Sequence, residues 1–212
     1  MIALWVVLGV VALLALATVL SYNRFVRQRN LVQESWRQID VELRRRHDLI
    51  PNLVETVKGY AAQERTVLTA VTEARSAAMT ALQGQASGVA AQGQAETALG
   101  QALGRLLAVA ESYPDLKSSQ NFLALQQQLA ETEDRIAAGR RFYNGNVRAL
   151  NTRVETFPSS IIASTFHFSK AEYFEVDEPQ VRAPVAVDFS SIGDPAAAPA
   201  PGQTEQTGQG PA

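Results

Sequence analysis

The sequence contains no cysteine, which excludes disulfides, thiolate zinc sites and cysteine nucleophiles together. Aromatic residues are scarce, at 7% of the chain. With abundant Ala, Leu and Gln, that scarcity favours helices packed on helices over a sheet sandwich. Charge of one sign is also missing: the formal net charge is -2, so there is no overall basic field for nucleic acid. The two histidines, His47 and His167, both lack a glutamate three residues earlier, so the Glu-x-x-His pairs of di-iron bundles are not there. No phosphate-cradling glycine loop and no His-Glu-x-x-His helix occurs. No residue is therefore assigned to catalysis, to a cofactor or to a metal.

A long apolar run is present. Positions 1–20, MIALWVVLGVVALLALATVL, carry no charged side chain, and about 20 apolar residues in a helix cross a bilayer core. A cleaved signal peptide is the competing reading, since Ala15-Leu16-Ala17 resembles a small-x-small cleavage site. Against it, no Lys or Arg precedes the apolar core, and Arg24, Arg27 and Arg29 follow it. Those three arginines lie within reach of anionic headgroups. Because basic flanks stay on the cytoplasmic side, they predict an outside amino terminus and a cytoplasmic body after Tyr22.

Beyond the span, Val32, Trp36, Ile39 and Leu43 step by four, three and four along one helix face. Pro51 in DLIPN lacks an amide hydrogen and disfavours helical geometry at Ile50, which predicts a tight turn, a kink being the alternative. A second helix carries Val54, Val57, Ala61, Leu68, Val71 and Ala78 inward. The glycine-rich QGQASGVAAQGQ is the next break. A third helix aligns Leu99, Leu103, Leu106 and Ala110 and ends before Pro114, with Gly100 and Gly104 spaced for close helix approach. The fourth has the strongest pattern, from Phe122 through Leu129, Ile136, Tyr143, Val147 and Leu150 to Phe157, where Pro158 stops it.

The predicted fold is all-α: a transmembrane helix over 1–21 leading into an antiparallel up-down four-helix bundle over 22–158. An extended segment over 159–192 packs on the bundle, and a disordered tail covers 193–212. YNRFVRQRN at 22–30 and YNGNVRALN at 143–151 share the skeleton Y-N-x-x-V-R-x-x-N. In an up-down bundle both copies fall at the membrane-proximal end, where Asn30 and Asn151 would lock register through buried amide hydrogen bonds. Coincidence is the other reading of the repeat.

Charge is uneven along the chain: positions 22–47 hold seven arginines against three carboxylates. Arg44, Arg45 and Arg46 stand about 20 residues past the span. At about 1.5 Å each that is some 30 Å, well beyond a Debye length of about 8 Å, so they face something other than lipid. Neutralisation by acidic helix faces or by the carboxylates of 172–178 is one reading; an acidic surface of a protein partner at the membrane-distal tip is the other. His47, beside Asp48, reads as a turn residue, and His167 as pointing away from the surface that Phe166 and Phe168 cover. Glu131, Glu133 and Asp134 read as a solvated helix face.

The phrases RQRNLVQESWRQIDVELRRRHDLIPNLVETVKGYAAQE, LLAVAESYPDLKSSQNFLALQQQLAETEDRIAAGRRFYNGNVRALNT and FPSSIIASTFHF resemble the LemA family of bacterial membrane-anchored proteins. The resemblance covers about positions 22–176 and implies one spanning helix, an outside amino terminus and a soluble four-helix bundle. It implies an inner-membrane location and an envelope partner such as a membrane metalloprotease, and no reaction. The GQASGVAAQGQ connection and the Pro/Ala/Gly tail depart from the family pattern. The function expected from all this is a non-enzymatic scaffold or adaptor. An envelope-stress enzyme with an unrecognised acidic site, and a structural protein that forms homo-oligomers, are the alternatives.

Overall fold

The computed structural model describes residues 1–84 and 88–176; the expectations for 177–192 and for the tail 193–212 lie outside the described residues. All regular structure among the described residues is helical: α1 Ile2–Tyr60, α2 Arg65–Gln83, α3 Gly88–Glu111, α4 Pro114–Lys117, α5 Gln120–Glu155 and α6 Ser159–Thr165. At 59 residues, α1 is about 88 Å long. Its first third is apolar and stands free of the rest, with Trp5 71% exposed, and by length and composition it is able to cross a membrane.

The turn expected at Pro51 does not form, because α1 runs straight through it. Proline costs a helix the hydrogen bond to the carbonyl four residues earlier, which here is that of His47. Arg75 of α2 supplies the missing donor, its Nε lying 2.7 Å from the His47 oxygen. Ile50, Leu53 and Val57, on either side of the proline, are buried, so packing holds the helix where backbone chemistry weakens it. The reversal comes ten residues later, at Ala61–Glu64. Tyr113, from the turn after α3, binds Gln63 at 2.8 Å and Glu64 at 3.3 Å.

Two apolar clusters follow from unequal helix lengths. The first gathers Leu53, Val57, Val71, Leu99, Leu106, Leu116 and Phe122 from α1 to α5. The second gathers Phe25, Ile39, Leu43, Ile136, Val147, Ala163 and Phe174. There α1 and α5 extend past the shorter α2 and α3, and residues 166–176 cover the apolar surface left over. Gly139 brings α5 close to α1: a Cβ there would sit 3.1 Å from Ile39 Cγ1. Gly100 and Gly104 open onto empty space, so the close approach expected of them is absent.

Residues 159–165 are helical rather than extended. Pro158 stands just before α6 and opens that helix, as proline's fixed φ allows; the Phe157–Pro158 peptide is cis. Exposed His167 closes it in the left-handed region, at φ 56°, with the Phe168 amide returning to the Ala163 carbonyl at 2.9 Å, a helix-ending arrangement. The chain then runs extended along α5. Asn151 makes two hydrogen bonds to the Ala171 backbone, both 2.9 Å, and Asn144 makes two to Phe174, at 3.0 and 2.9 Å. The Tyr143 hydroxyl donates to the Glu172 carbonyl at 2.8 Å. Burial and the Glu172 charge push that phenol up to about 12, so it remains a donor at any physiological pH.

The predicted break QGQASGVAAQGQ is largely helical, α3 starting at Gly88. Its Gly93 has a specific task. A Cβ there would meet the Glu175 carbonyl oxygen at 2.2 Å, so only glycine lets the extended segment lie against α3. Gly93→Ala is expected to destabilise by about 1–3 kcal/mol through overpacking and to speed hydrogen exchange at the Ala171 and Phe174 amides. Gly100→Ala, with open space around it, should stabilise by about 0.5–1 kcal/mol. Equal melting of the two variants would remove the steric role of Gly93.

Candidate functional site

Between the two apolar clusters lies a layer of polar side chains. Arg46 and His47 of α1, Gln92 and Glu96 of α3 and Thr132 of α5 are all buried. The arrangement follows from register. Arg46 and His47 fall between Leu43 and Ile50 on α1, Thr132 and Glu133 between Leu129 and Ile136 on α5, and Glu96 and Gln92 one and two turns before Leu99 on α3. Each helix interrupts its apolar stripe at the same level.

Glu96 is the centre. One carboxylate oxygen accepts from Arg46. The other lies 3.0 Å from His47 Nε2 and accepts from Gln92 Nε2 at 2.6 Å. Arg46 also reaches Glu133 on α5, Nη1 to Oε1 at 2.6 Å, so one guanidinium ties three helices. Burial works to raise the Glu96 pKa, but the His47 hydrogen bond and the Arg46 charge outweigh it and hold the carboxyl below the usual range. For Arg46 burial works downward, and Glu133 and Glu96 overcome it, leaving the guanidinium more basic than usual. A buried charge is tolerated when it is paired and hydrogen-bonded, and both conditions are met.

Each ionisable side chain of the layer has at least one partner. Four side-chain atoms of the described residues are buried without a partner: Glu42 Oε2, Arg46 Nε, His47 Nδ1 and Gln92 Oε1. His47 meets Glu96 through Nε2, and its Nδ1 is left without a partner. No group of three or more His, Asp or Glu residues is placed to hold a metal ion among the described residues.

The sequence-predicted site residues scatter. Of the arginine triplet, Arg46 is neutralised internally, Arg44 pairs with Asp40 at 2.9 Å on the surface, and Arg45 makes no ion pair among the described residues. All three lie about three quarters of the way along α1, about four turns before its end, rather than at the distal tip. His47 is mid-helix and buried, not a turn residue. Glu131 and Asp134 are solvated as expected, whereas Glu133 is drawn to Arg46. Arg24 and Arg27 are exposed, while Arg29 rests over the Phe168 ring, 5.7 Å from its centroid.

The two copies of the repeated motif touch through Gln28, whose Nε2 donates to the Asn146 carbonyl at 3.1 Å, but their asparagines do not meet, and Phe25 lies instead under Arg153, at 5.8 Å. Asn30 is exposed and Asn151 is taken by Ala171, so the expected Asn30–Asn151 contact is absent. The second copy instead docks the extended segment through Tyr143, Asn144 and Asn151. In the first, Tyr22 packs edge-on against Phe166 and Phe168, at 5.0 and 5.7 Å.

Sequence reasoning missed Arg75, Gln92 and Glu96. A signal existed for the last two: extending the Leu99–Leu103–Leu106 stripe backwards by helical steps lands on 96 and 92, polar residues in buried positions. For Arg75 there was none, because its partner is a backbone carbonyl.

Residues 35–189 match the LemA family. Magnetosome protein MamQ 2 of Paramagnetospirillum magneticum is 30% identical over 190 residues, covering 80% of this chain and 70% of that protein. Magnetosome protein MamQ of Magnetospirillum gryphiswaldense is 29% identical over 194 residues, 81% and 71% of the two chains. Protein LemA of Metamycoplasma hominis is 26% identical over 168 residues, 76% and 75%.

Two measurements probe the layer. Arg75→Ala should strand the His47 carbonyl and cost about 1–3 kcal/mol. Pro51→Ala restores an amide to that carbonyl, so the double variant should be less destabilised than the singles predict, with a coupling of about 0.5–3 kcal/mol; additivity would detach Arg75 from the proline. Glu96 has a folded pKa below its unfolded one, so its contribution is present above the ordinary carboxylate range and is lost as pH falls through the depressed value. Glu96→Gln should lower stability at neutral pH by about 3–5 kcal/mol and flatten the acid limb of the melting profile. An unchanged acid limb would show that other carboxylates set it.

Proposed function

This chain belongs to the LemA family, and from that premise we propose that it works as a single-pass membrane-anchored scaffold, its bundle held in the cytoplasm to bind another envelope protein. The supporting observation is the continuity of α1. One helix begins as an exposed apolar stretch fit to cross a bilayer and ends as a buried member of the distal core. The span and the bundle are thus one element, and a partner held by the bundle is held at a fixed height above the membrane. In this reading α1, α2, α3 and α5 form an antiparallel up-down bundle. The pairings Arg46–Glu133, Glu42–Arg135 and Gln28–Asn146 support it, since positions rise on α1 as they fall on α5. Arginines concentrated after the span support the cytoplasmic side for the body.

The polar layer favours scaffold over enzyme. Its ionisable groups are spent on one another: Arg46, His47 and Glu96 are 1–4% exposed and make their contacts across helices. A layer of that kind sets which helix faces meet, as a buried polar residue sets register in coiled coils.

The partner-binding face is the flank of α1 and α5 turned away from residues 166–176. Phe142 is separated by about 200° around α5 from Arg140 and Asn144 at 100° per residue, both of which bind that segment. It is 54% exposed, with Leu31 and Val41 on α1 at 40% and 62%. Arg45, without an ion pair among the described residues, stands on the same α1 face as Leu31 and Val41. Aromatic and aliphatic anchors beside an arginine suit a protein interface. A membrane metalloprotease or its regulator is the partner class the family resemblance suggests.

Protease added to intact spheroplasts should leave the bundle whole; digestion from outside would reverse the orientation. In cells, proximity labelling from the full chain should mark an envelope protein, and Phe142→Asp with Leu31→Asp should abolish that label while the protein still melts cooperatively. Labelling that survives both changes would move the partner face elsewhere, and a mass that rises with concentration and falls with Phe142→Asp would make the partner a second copy.

A further inference from the structure

Where the span meets the bundle, α1, α5 and α6 enclose a groove of about 1060 Å³. One end is apolar, lined by Leu14 and Leu20 of α1 and Ile161 of α6; the other carries Arg24, Arg27 and Arg153. No Asp or Glu lines it. Arg24 and Arg27 make no ion pair among the described residues. The Arg153 guanidinium carbon lies 5.8 Å from the Phe25 ring centroid, and Arg153 makes no ion pair among the described residues. Phe157, expected in the core, is 76% exposed between the groove-lining Thr156 and Pro158, and Ile161 is 54% exposed.

We propose that this groove binds one anionic phospholipid, its phosphate held by Arg24, Arg27 and Arg153 and an acyl chain lying along Leu14 and Leu20. The inference rests on α1 spanning the bilayer, as argued above. Charge decides the sign of the ligand, and continuity decides its class. Three guanidinium groups without a carboxylate select a phosphate-bearing anion, which arginine grips bidentately. Leu14 lies ten residues before Arg24, about 15 Å along the axis, so a ligand filling the groove has an anionic head and an apolar body of lipid dimensions. A soluble phosphate would occupy only the basic end. Phe157 and Ile161 then face the headgroup and acyl boundary, where exposed apolar side chains are at home. Of the three arginines that follow the span, Arg29 is left out, since Phe168 holds it elsewhere; Arg153, far away in sequence, replaces it.

The test uses the full chain in nanodiscs of mixed phosphatidylglycerol and phosphatidylcholine, ejected into native mass spectrometry. One phosphatidylglycerol should stay bound, in at least ten-fold preference to phosphatidylcholine. Arg153→Gln, remote from the topogenic arginines, should cut that retention several-fold, and Arg24→Lys with Arg27→Lys should weaken it while keeping charge. Arg148→Gln, exposed on α5 outside the groove, should leave it unchanged. Equal retention of the two lipids, an equal loss with Arg148→Gln, or competition by inorganic phosphate at comparable concentration would overturn the proposal. Carbonate extraction of the same variants separates the premise from the inference. A chain released from membranes by carbonate refutes the span; a chain that resists carbonate and shows no lipid preference refutes the groove alone.

Discussion

Pro51 removes one amide hydrogen from the interior of α1, and the His47 carbonyl left without it is met by Arg75 of α2. With that bond, α1 continues for another nine residues and reaches the distal core. Without it, the chain would have reason to turn at the proline, and Leu53 and Val57 would leave the level at which Leu99, Leu106 and Phe122 wait for them. The same bond draws α2 against α1 beside the polar layer. One side-chain donor thus sets the length of the first helix, the place of the second, and the height at which the charged residues meet.

The polar layer divides what would otherwise be a single apolar core. Purely aliphatic helices can slide by a turn or exchange partners at little cost, because one leucine surface resembles another. Arg46 paired with Glu96 allows no such slip between α1 and α3: a shift of one turn on either would leave a charge buried alone, at a cost of several kcal/mol. Below that layer α1 and α5 rely on the 166–176 segment, fastened by two asparagines and a tyrosine of α5 and admitted by Gly93.

Much of this was legible in the sequence, and the failures have physical causes. Apolar stripes over Val32–Leu43, Leu99–Ala110 and Phe122–Leu150 were read correctly, because helix burial leaves a three-four period. Pro51 misled because a proline's effect depends on whether a distant donor repays the lost bond, which no local rule reveals. The glycines misled because Gly93 serves a contact with a segment about 80 residues later rather than a turn. The Asn30–Asn151 pairing failed because a shared skeleton says nothing of register. Glu96 was hidden among glycines and alanines, although its helical phase marked it as buried.

The unbroken α1 also has a mechanical meaning. Past Tyr22 it continues for nearly 40 residues, about 60 Å, with no hinge between the apolar stretch and the distal turn. Inclining such a rod by about 10° at its base carries its far end sideways by about 10 Å, and spans do incline to match bilayer thickness. In the membrane-anchored reading proposed above, a lever of these proportions turns a small change in lipid thickness into a displacement the size of a helix diameter at Tyr60, without any rearrangement inside the protein.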